Sequence, residues 1–286
     1  MAELSLNSLQ AWIGKSQCSF SELPPFNAQA LAGAIKHHNS PEPGDHLPLP
    51  WHWLYFLDPT RRDRTGEDGH PLKGGFLPPV PLPRRMWAAG ALEIAQPLVL
   101  GQATEKVSTI TSVEAKEGRS GPLVFVNLNH ELSQGGNLCI TEEQNLVYRE
   151  APRERTELPP GVNATQTPEF SKEVIPDPVL LFRYSALTYN GHRIHYDRDY
   201  AVNTELYPAL VVHGPLRDPV TTAGLREHSR RPGQCLQFSG GEANFRHSSP
   251  HPLRHTRWQP DSALVDRPRR LHLHESRGDN RQREIV

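Results

Sequence analysis

The chain has 286 residues, of which 36% are hydrophobic and 22% are charged, and its formal net charge at pH 7 is −1. This length allows one large domain or two ordinary domains. Because the mean hydropathy is −0.59 and no run of about 18 apolar residues occurs, no membrane-spanning helix is predicted. The first residues lack the basic region and apolar core of a signal peptide, and the three cysteines lie far apart. We therefore expect a reducing, cytoplasmic location.

In chain order, two helix candidates, an aromatic segment and four strand candidates come first. The helices are predicted at 5–13 and 26–37, and residues 51–57 form an aromatic strand or a packed turn. Alternating apolar and polar residues, with glycine turns between the runs, predict the strands. These strands are 91–98, 105–116, 122–132 and 137–148. Consecutive strands joined by short turns predict an antiparallel meander.

A loop and a proline-rich stretch precede the strands. Residues 58–75 are polar and rich in glycine, which predicts a mobile loop. Residues 76–87, FLPPVPLPRRMW, are too rich in proline for regular structure, and the ordinary interpretation is an extended segment that wraps over a sheet. The alternative is contact with a substrate or its CoA group, with Arg84 and Arg85 as anion partners.

The second half begins after residues 151–172, whose prolines and charged residues predict a linker. The linker divides the chain into a first unit, 1–150, and the start of a second unit, 173–216. In the second unit the apolar and aromatic residues 179–184 predict a buried strand. An apolar run then ends at His213-Gly214-Pro215, where proline after glycine predicts a helix start with free backbone N–H groups.

Residues 188–195, TYNGHRIH, resemble the signature of (R)-specific enoyl-CoA hydratases and MaoC-like dehydratases of the hot-dog superfamily. Three strings, TYNGHRIHYD, VVHGPL and GGFLPPVPLPRRMWA, are similar to the subgroup of mesaconyl-CoA hydratases and hydroxyacyl-thioester dehydratases. The resemblance implies an α+β double hot-dog fold, in which each curved antiparallel sheet wraps a central helix. It also implies a hydratase or dehydratase of CoA or acyl-carrier thioesters without metal or redox cofactor. Mesaconyl-CoA, or a related short branched dicarboxylyl-CoA, is the favoured substrate.

The same resemblance implies the catalytic residues. The catalytic histidine of the family falls on His195, and the family's aspartate falls on Asn190. Because asparagine can orient a water molecule but cannot accept its proton, His195 carries more of the acid–base work, or His192 or Asp197 assists. Gly214 matches the residue whose backbone N–H donates to the thioester oxygen, and a helix start stabilises negative charge there.

Other interpretations compete for these residues. His192 and His195 are three apart, as on one face of a metal site, but no third ligand stands at a suitable spacing, so no metal is expected. Arg84, Arg85, Arg183 or Arg193 could hold a distal carboxylate of the substrate. The alternative functions are a non-catalytic acyl-CoA-binding hot-dog protein, motivated by Asn190, and a dehydratase of fatty acid synthesis. A homodimer is an open alternative.

Residues 217–286 differ from the rest of the chain, since they contain 13 arginines, no lysine and 8 acidic residues. Proline and glycine stand where the resemblance requires the interior of the central helix. A one-nucleotide offset permits a helix-like run, GTLLLQL, and a family-like ending. We therefore predict that 217–286 is a frameshifted translation, which would leave the second unit incomplete and the activity of this exact chain in doubt. The competing interpretation, a basic tail for nucleic acid or an acidic partner, has only composition behind it, and nucleic acid is not expected.

Overall fold

The computed structural model describes residues 6–37, 40–118, 121–152, 154–155, 170–171, 175–217, 234–239 and 257–258. The helices are α1 (Leu6–Gln10), α2 (Pro25–Ala34), α3 (Pro178–Leu187) and α4 (Gly214–Arg217). The strands are β1 (Ser16–Ser21), β2 (Arg84–Ile94), β3 (Thr104–Gly118), β4 (Gly121–Gln134), β5 (Asn137–Arg149), β6 (Phe170–Ser171), β7 (Gln234–Ser239) and β8 (Arg257–Trp258). Short 3₁₀ turns occur at Trp51–Leu54, Arg62–Arg64 and Arg193–His195, and a π turn at Tyr200–Thr204.

Six strands form one antiparallel sheet in the order β1-β3-β4-β5-β2-β7. Its centre is the meander β3-β4-β5, as the alternating residues predicted. Along β4, buried Val124, Val126 and Leu128 alternate with half-buried residues, so that one face packs on the core. The turn between β4 and β5 is Gly135-Gly136, whose φ angles of 56° and 80° explain the glycines.

Strand β2 corrects the interpretation of the proline-rich stretch. It begins at Arg84, inside the segment that was expected to lack regular structure, and Arg84 pairs with Arg149 of β5. The last proline is Pro83, so every later residue carries a backbone N–H that the strand ladder can use. The strand therefore starts immediately after the prolines end.

Helix α3 corrects a second prediction, the buried strand at 179–184. The side chain of Asp177 accepts a hydrogen bond from the backbone N–H of Leu180 at 2.8 Å, and Pro178 occupies the first helical turn. Both are helix-start features. Leu181 and Tyr184 are buried whereas Phe182 is exposed, which is the pattern of one helical face. A short apolar run does not by itself distinguish a strand from a helix.

Both predicted helices and three of the four predicted strands agree with the structure within a few residues, whereas the strand predicted at 91–98 is β2, Arg84–Ile94, and β1 was not predicted. Helices α1 and α2 lie at the two predicted places, and Trp51–Leu54 is the packed-turn alternative. Helix α2 packs against α3, and buried residues of both helices share one hydrophobic cluster with Trp51 and with Leu92 of β2. This cluster lies beneath the segment that carries the predicted catalytic residues.

Most of the linker and the C-terminal segment falls outside the described residues. Of residues 217–286 the structure describes Arg217, β7 and β8, and β7 pairs with β2 at the edge of the sheet. The division into two units and the frameshift stay predictions. Among the helices in the described ranges, none has both the length and the apolar character that crossing a membrane requires.

Candidate active site

Four histidines from three segments of the chain stand in a row with their rings in contact. In spatial order they are His70, His192, His195 and His213. The ring centroids are 4.1 Å apart in the first pair, 5.5 Å in the second and 3.7 Å in the third. Sequence reasoning singled out the middle two, which are neighbours in the chain. The fold adds one from the polar loop and one from the start of α4.

His195 has the environment of a general base. Its Nδ1 lies 2.8 Å from the carbonyl oxygen of Val211. Because a carbonyl only accepts hydrogen bonds, Nδ1 carries the proton and Nε2 carries a lone pair. Burial, as the largest cause, lowers the pKa of His195 to about 4, although the Val211 carbonyl opposes the shift. The imidazole is therefore neutral at pH 7 and can accept a proton.

The neighbouring histidines are held neutral in the same way. Burial and the adjacent His70 and His195 lower the pKa of His192 to about 2. His213 hydrogen-bonds through Nε2 to Ser185 Oγ at 2.8 Å, and burial lowers its pKa well below the ordinary value. Since a positive charge on one imidazole repels a second on the next, the row favours few protons at a time.

Asn190 shapes the turn of residues 190–195, named the catalytic turn after the predicted role of its histidines. The side-chain Oδ1 of Asn190 accepts a hydrogen bond from the backbone N–H of His192 at 3.0 Å. Its backbone N–H donates to the carbonyl oxygen of Ser185 at 2.8 Å. These bonds end α3 and begin the turn Arg193–His195. With the oxygen engaged, the side-chain NH₂ is the group that remains to hold a water molecule. The predicted water-orienting role stays a prediction.

Asp197, predicted to assist, is occupied by structural contacts. Its Oδ2 accepts from Arg193 Nη2 at 2.7 Å, and its Oδ1 accepts from the Tyr200 backbone N–H at 3.1 Å. These hydrogen bonds, that of Tyr200 first, lower the pKa of the Asp197 carboxyl. Both oxygens thus serve the local fold.

Arg183 is exposed on α3, and the other three candidate arginines have different surroundings. Arg84 is buried and pairs with the carboxylate and the backbone carbonyl of Glu205, and Arg193 is paired with Asp197. Among the described residues Arg85 makes no salt bridge, and its positive charge contributes to lowering the pKa of His70. Arg85 is therefore the one of the three whose charge is not neutralised by a neighbouring carboxylate.

The polar loop is docked onto the catalytic turn, which the sequence did not predict. The Asp68 carbonyl accepts from the backbone N–H of Arg193 at 2.9 Å. The Glu67 carbonyl accepts from Arg193 Nη1 at 3.1 Å. At Gly69, whose φ is +88°, an added Cβ would stand 1.9 Å from the Gly191 carbonyl oxygen. Only glycine allows this close backbone approach.

The docked loop places Asp68 and His70 beside His192. One possible metal-ligand atom from each of these three residues lies within 4.8 Å of the others. This set includes His192 but not His195, so it differs from the pair considered from the sequence. Asp68 and His70, however, are hydrogen-bonded to each other. Asp68 Oδ1 accepts from the His70 backbone N–H at 3.0 Å, and Asp68 Oδ2 accepts from His70 Nδ1 at 2.9 Å. The arrangement is a carboxylate–imidazole pair.

Gly214 begins α4 directly after His213. A Cβ at Gly214 would lie 3.0 Å from the ring of Trp87, so glycine lets the helix start pack against β2. The first backbone N–H groups of a helix have no partner within it. His213, whose ring stacks on that of His195, is the residue directly before this helix start, and the role of the Gly214 N–H stays a prediction.

Comparison with known proteins gives relatives along most of the chain. The family described as hydroxyacyl-thioester dehydratase type 2 matches residues 50–246. The chain is 43% identical over 229 residues to mesaconyl-C(4)-CoA hydratase of Chloroflexus aurantiacus, covering 78% of this chain and 80% of that protein. It is 30% identical over 231 residues to the mitochondrial hydroxyacyl-thioester dehydratase type 2 of Schizosaccharomyces pombe, covering 72% and 73%.

Solved structures resemble the fold. A MaoC-like dehydratase from Phytophthora capsici has a TM-score of 0.53 at 13% identity, covering 82% of this chain and 87% of that one. HtdX of Mycobacterium tuberculosis has a TM-score of 0.51 at 15% identity, covering 80% and 84%. The hot-dog fold that the sequence predicted is thereby confirmed.

Proposed function

The chain belongs to the hydroxyacyl-thioester dehydratase type 2 family and is a hydratase or dehydratase of CoA thioesters, and we propose that its substrate is mesaconyl-CoA or a similar short branched dicarboxylyl-CoA. One observation carries the catalytic assignment. His195 is a buried, neutral imidazole whose Nδ1 is held by the Val211 carbonyl, so its Nε2 is ready to accept a proton. The identity to a mesaconyl-CoA hydratase supports the choice of substrate.

The proposed reaction adds water across the α,β double bond. His195 Nε2 takes a proton from the water, the water oxygen bonds to the β-carbon, and the π electrons move toward the α-carbon and the thioester oxygen. The backbone N–H of Gly214 donates to that oxygen as negative charge develops, which is typically worth about 3 kcal/mol of barrier. A proton then reaches the α-carbon. Dehydration follows the same steps in reverse.

Arg85 is the residue that we assign to the distal carboxylate of the substrate. Arg84 and Arg193 already face carboxylates of Glu205 and Asp197. The positive charge of Arg85 lowers the pKa of both His70 and His192, which supports a position near the row of imidazoles. A guanidinium can bind a carboxylate through two parallel hydrogen bonds.

The test is a hydration assay with mesaconyl-CoA, followed by the loss of absorbance of the conjugated enoyl thioester. All the residues of the proposed site precede residue 217, so the unmodified chain is expected to turn over even with a frameshifted tail. His195→Ala is expected to lose at least about 100-fold in kcat. The exposed His46 supplies the matched control, His46→Ala, with unchanged activity. If His195→Ala keeps the kcat of the unmodified chain while both are folded, the catalytic assignment is wrong.

A non-catalytic acyl-CoA-binding protein is the second candidate. It is favoured by Asn190, an amide at the position where the family has a carboxylate. The side-chain oxygen of Asn190 also accepts a hydrogen bond within its own turn. Binding of the thioester without turnover by the intact chain would support this candidate. Turnover of a 3-hydroxyacyl carrier-protein thioester in preference to any CoA thioester would instead support a role in fatty acid synthesis.

Location and assembly are two further proposals. The thiols of Cys18 and Cys139 are free, which fits a reducing cytoplasm. Phe26 on α2 and Phe182 on α3 are 71% and 63% exposed, and the two helices pack together. Exposed aromatic side chains on adjacent helices fit a homodimer interface.

A further inference from the structure

The four histidines of the row differ in the groups that hold their rings. His195 is supported through Nδ1 by a backbone carbonyl, and His213 is supported by a serine hydroxyl. Within the described residues, only the His70 ring is hydrogen-bonded to a carboxylate in this row, at 2.9 Å. An imidazole that must carry a positive charge in a buried site gains most from a partner of this kind.

The Asp68–His70 pair is preorganised. The Asp68 carboxylate accepts hydrogen bonds from the backbone N–H and from the ring Nδ1–H of His70. It therefore fixes both the backbone of His70 and the tautomer of its imidazole. The pKa of Asp68 is held well below its usual range, so the group is ionised. His70 therefore presents Nε2 as the atom that gains and loses a proton.

The position of the pair is fixed by the catalytic turn itself. The Asp68 carbonyl and the Gly69 backbone contact Arg193 and Gly191, which flank His192. The ring of His70 lies 4.1 Å from that of His192, measured between centroids. The pair is therefore held against the catalytic turn.

We propose that Asp68 and His70 are a second acid–base pair of the active site, which supplies the carboxylate-supported imidazole that Asn190 cannot provide. His70 is the catalytic residue of the pair and Asp68 is its positioning residue. The inference rests on the proposed function, since it assigns the second proton transfer of that same hydration.

The two imidazoles divide the protons of the reaction. At the start His70 is the imidazolium and His195 is neutral. His195 Nε2 takes a proton from water as the oxygen bonds to the β-carbon, and His70 Nε2–H gives its proton to the α-carbon as the π pair forms the new C–H bond. At the end His195 is the imidazolium and His70 is neutral, so the protons balance. Exchange with solvent restores the starting state.

The groups around His70 set the balance of its protonation. Burial, which is the largest effect, and Arg85 from β2 lower the pKa of His70 below its ordinary value, and Asp68 on the same loop opposes this shift. His192 and His195, from the catalytic turn, add repulsion between positive charges. His70 is the member of the row whose ring is hydrogen-bonded to a carboxylate, and it is therefore the imidazole on which a proton is best supported.

The experiment compares His70→Asn and Asp68→Asn with Asp63→Asn, an exposed aspartate of the same loop that serves as matched control. His70→Asn keeps a donor near the Asp68 carboxylate and removes the Nε2 proton. Its kcat is expected to fall about 100- to 1000-fold with KM within about threefold, a normal loss for one general acid. Asp63→Asn should match the unmodified chain in both constants.

Asp68→Asn gives a readout that a structural role would not move. Removal of the carboxylate lowers the pKa of His70, and the protonated form is the active one in hydration. The alkaline limb of the kcat profile is therefore expected to shift to lower pH in a variant that circular dichroism shows to be folded at pH 7. The proposal is overturned if His70→Asn retains at least half of the kcat, or if the Asp68→Asn profile superimposes on that of the unmodified chain.

Two further outcomes are distinguishable. If the unmodified chain hydrates no thioester, the proposed function itself fails. If EDTA abolishes turnover and Zn²⁺ restores it, Asp68, His70 and His192 act as metal ligands, and the acid–base pair is refuted. Full activity after EDTA treatment is the expected result.

Discussion

The docking of the polar loop on the catalytic turn predicts a specific effect of Gly69→Ala. An alanine Cβ there would lie 1.9 Å from the Gly191 carbonyl oxygen, which is inside any real contact distance. The two backbone segments must therefore separate by about 1 Å or more. That separation breaks the hydrogen bond from the Arg193 N–H to the Asp68 carbonyl, whose net worth is about 1 kcal/mol.

Gly74→Ala is the matched control for this prediction. Gly74 lies in the same loop with a φ of +89°, against +88° for Gly69, so both alanines carry the same left-handed strain of about 1 to 2 kcal/mol. At Gly74 the nearest atom to the new Cβ is Pro79 Cβ at 3.7 Å, an ordinary contact. The difference between the two variants thus isolates the contact between the loop and the turn.

The expected difference appears in activity and in stability. Gly69→Ala should lose about 10²-fold in kcat for thioester hydration, because a displacement of 1 Å at a proton-transfer site has effects of this size. It should also be about 1 to 3 kcal/mol less stable than Gly74→Ala in urea unfolding, from the lost hydrogen bonds. Equal kcat and equal unfolding free energy for the two variants would refute the docked arrangement.

Three other predictions concern stability, substrate binding and the gene. Buried Glu142 accepts hydrogen bonds from His52 and Trp53, and its pKa is lowered to about 2 in spite of burial; Glu142→Gln should cost about 3 kcal/mol at pH 7. Because the folded pKa lies below the unfolded one, this cost is present above about pH 4.5 and should shrink as the pH of urea unfolding falls toward 2. Arg85→Gln should raise KM for mesaconyl-CoA about 10- to 100-fold and leave KM for crotonyl-CoA, which lacks the carboxylate, unchanged; a parallel rise for both would contradict the assignment. The genomic DNA across codons 210–225 should show a gained or lost base; an intact frame would refute the frameshift.

The central sheet was predictable because its signal is local. Each strand of the meander alternates apolar and polar residues, and each turn carries glycine, so propensity and pattern agree. The run at Val179–Tyr184 was mispredicted as a strand because its apolar and aromatic residues fit both structures. The helix follows from one capping carboxylate, Asp177, and from the proline after it. These neighbours outweigh the composition of the run.

The site was predictable only in part. His192 and His195 stand in one short motif, and the resemblance to a family placed them together. Asp68 and His70 precede that motif by more than a hundred residues in a loop without periodicity, so only the fold reveals their contact with it. A backbone approach that requires Gly69 is likewise a tertiary feature.

The most direct test of the catalytic role of His195 is mass spectrometry of mesaconyl-CoA after incubation with the unmodified chain or with His195→Ala at equal concentration. The unmodified chain should convert the thioester to a product heavier by one water, and His195→Ala, folded by circular dichroism, should leave it essentially unchanged. Equal conversion by both proteins would contradict a hydratase that uses His195 as its base.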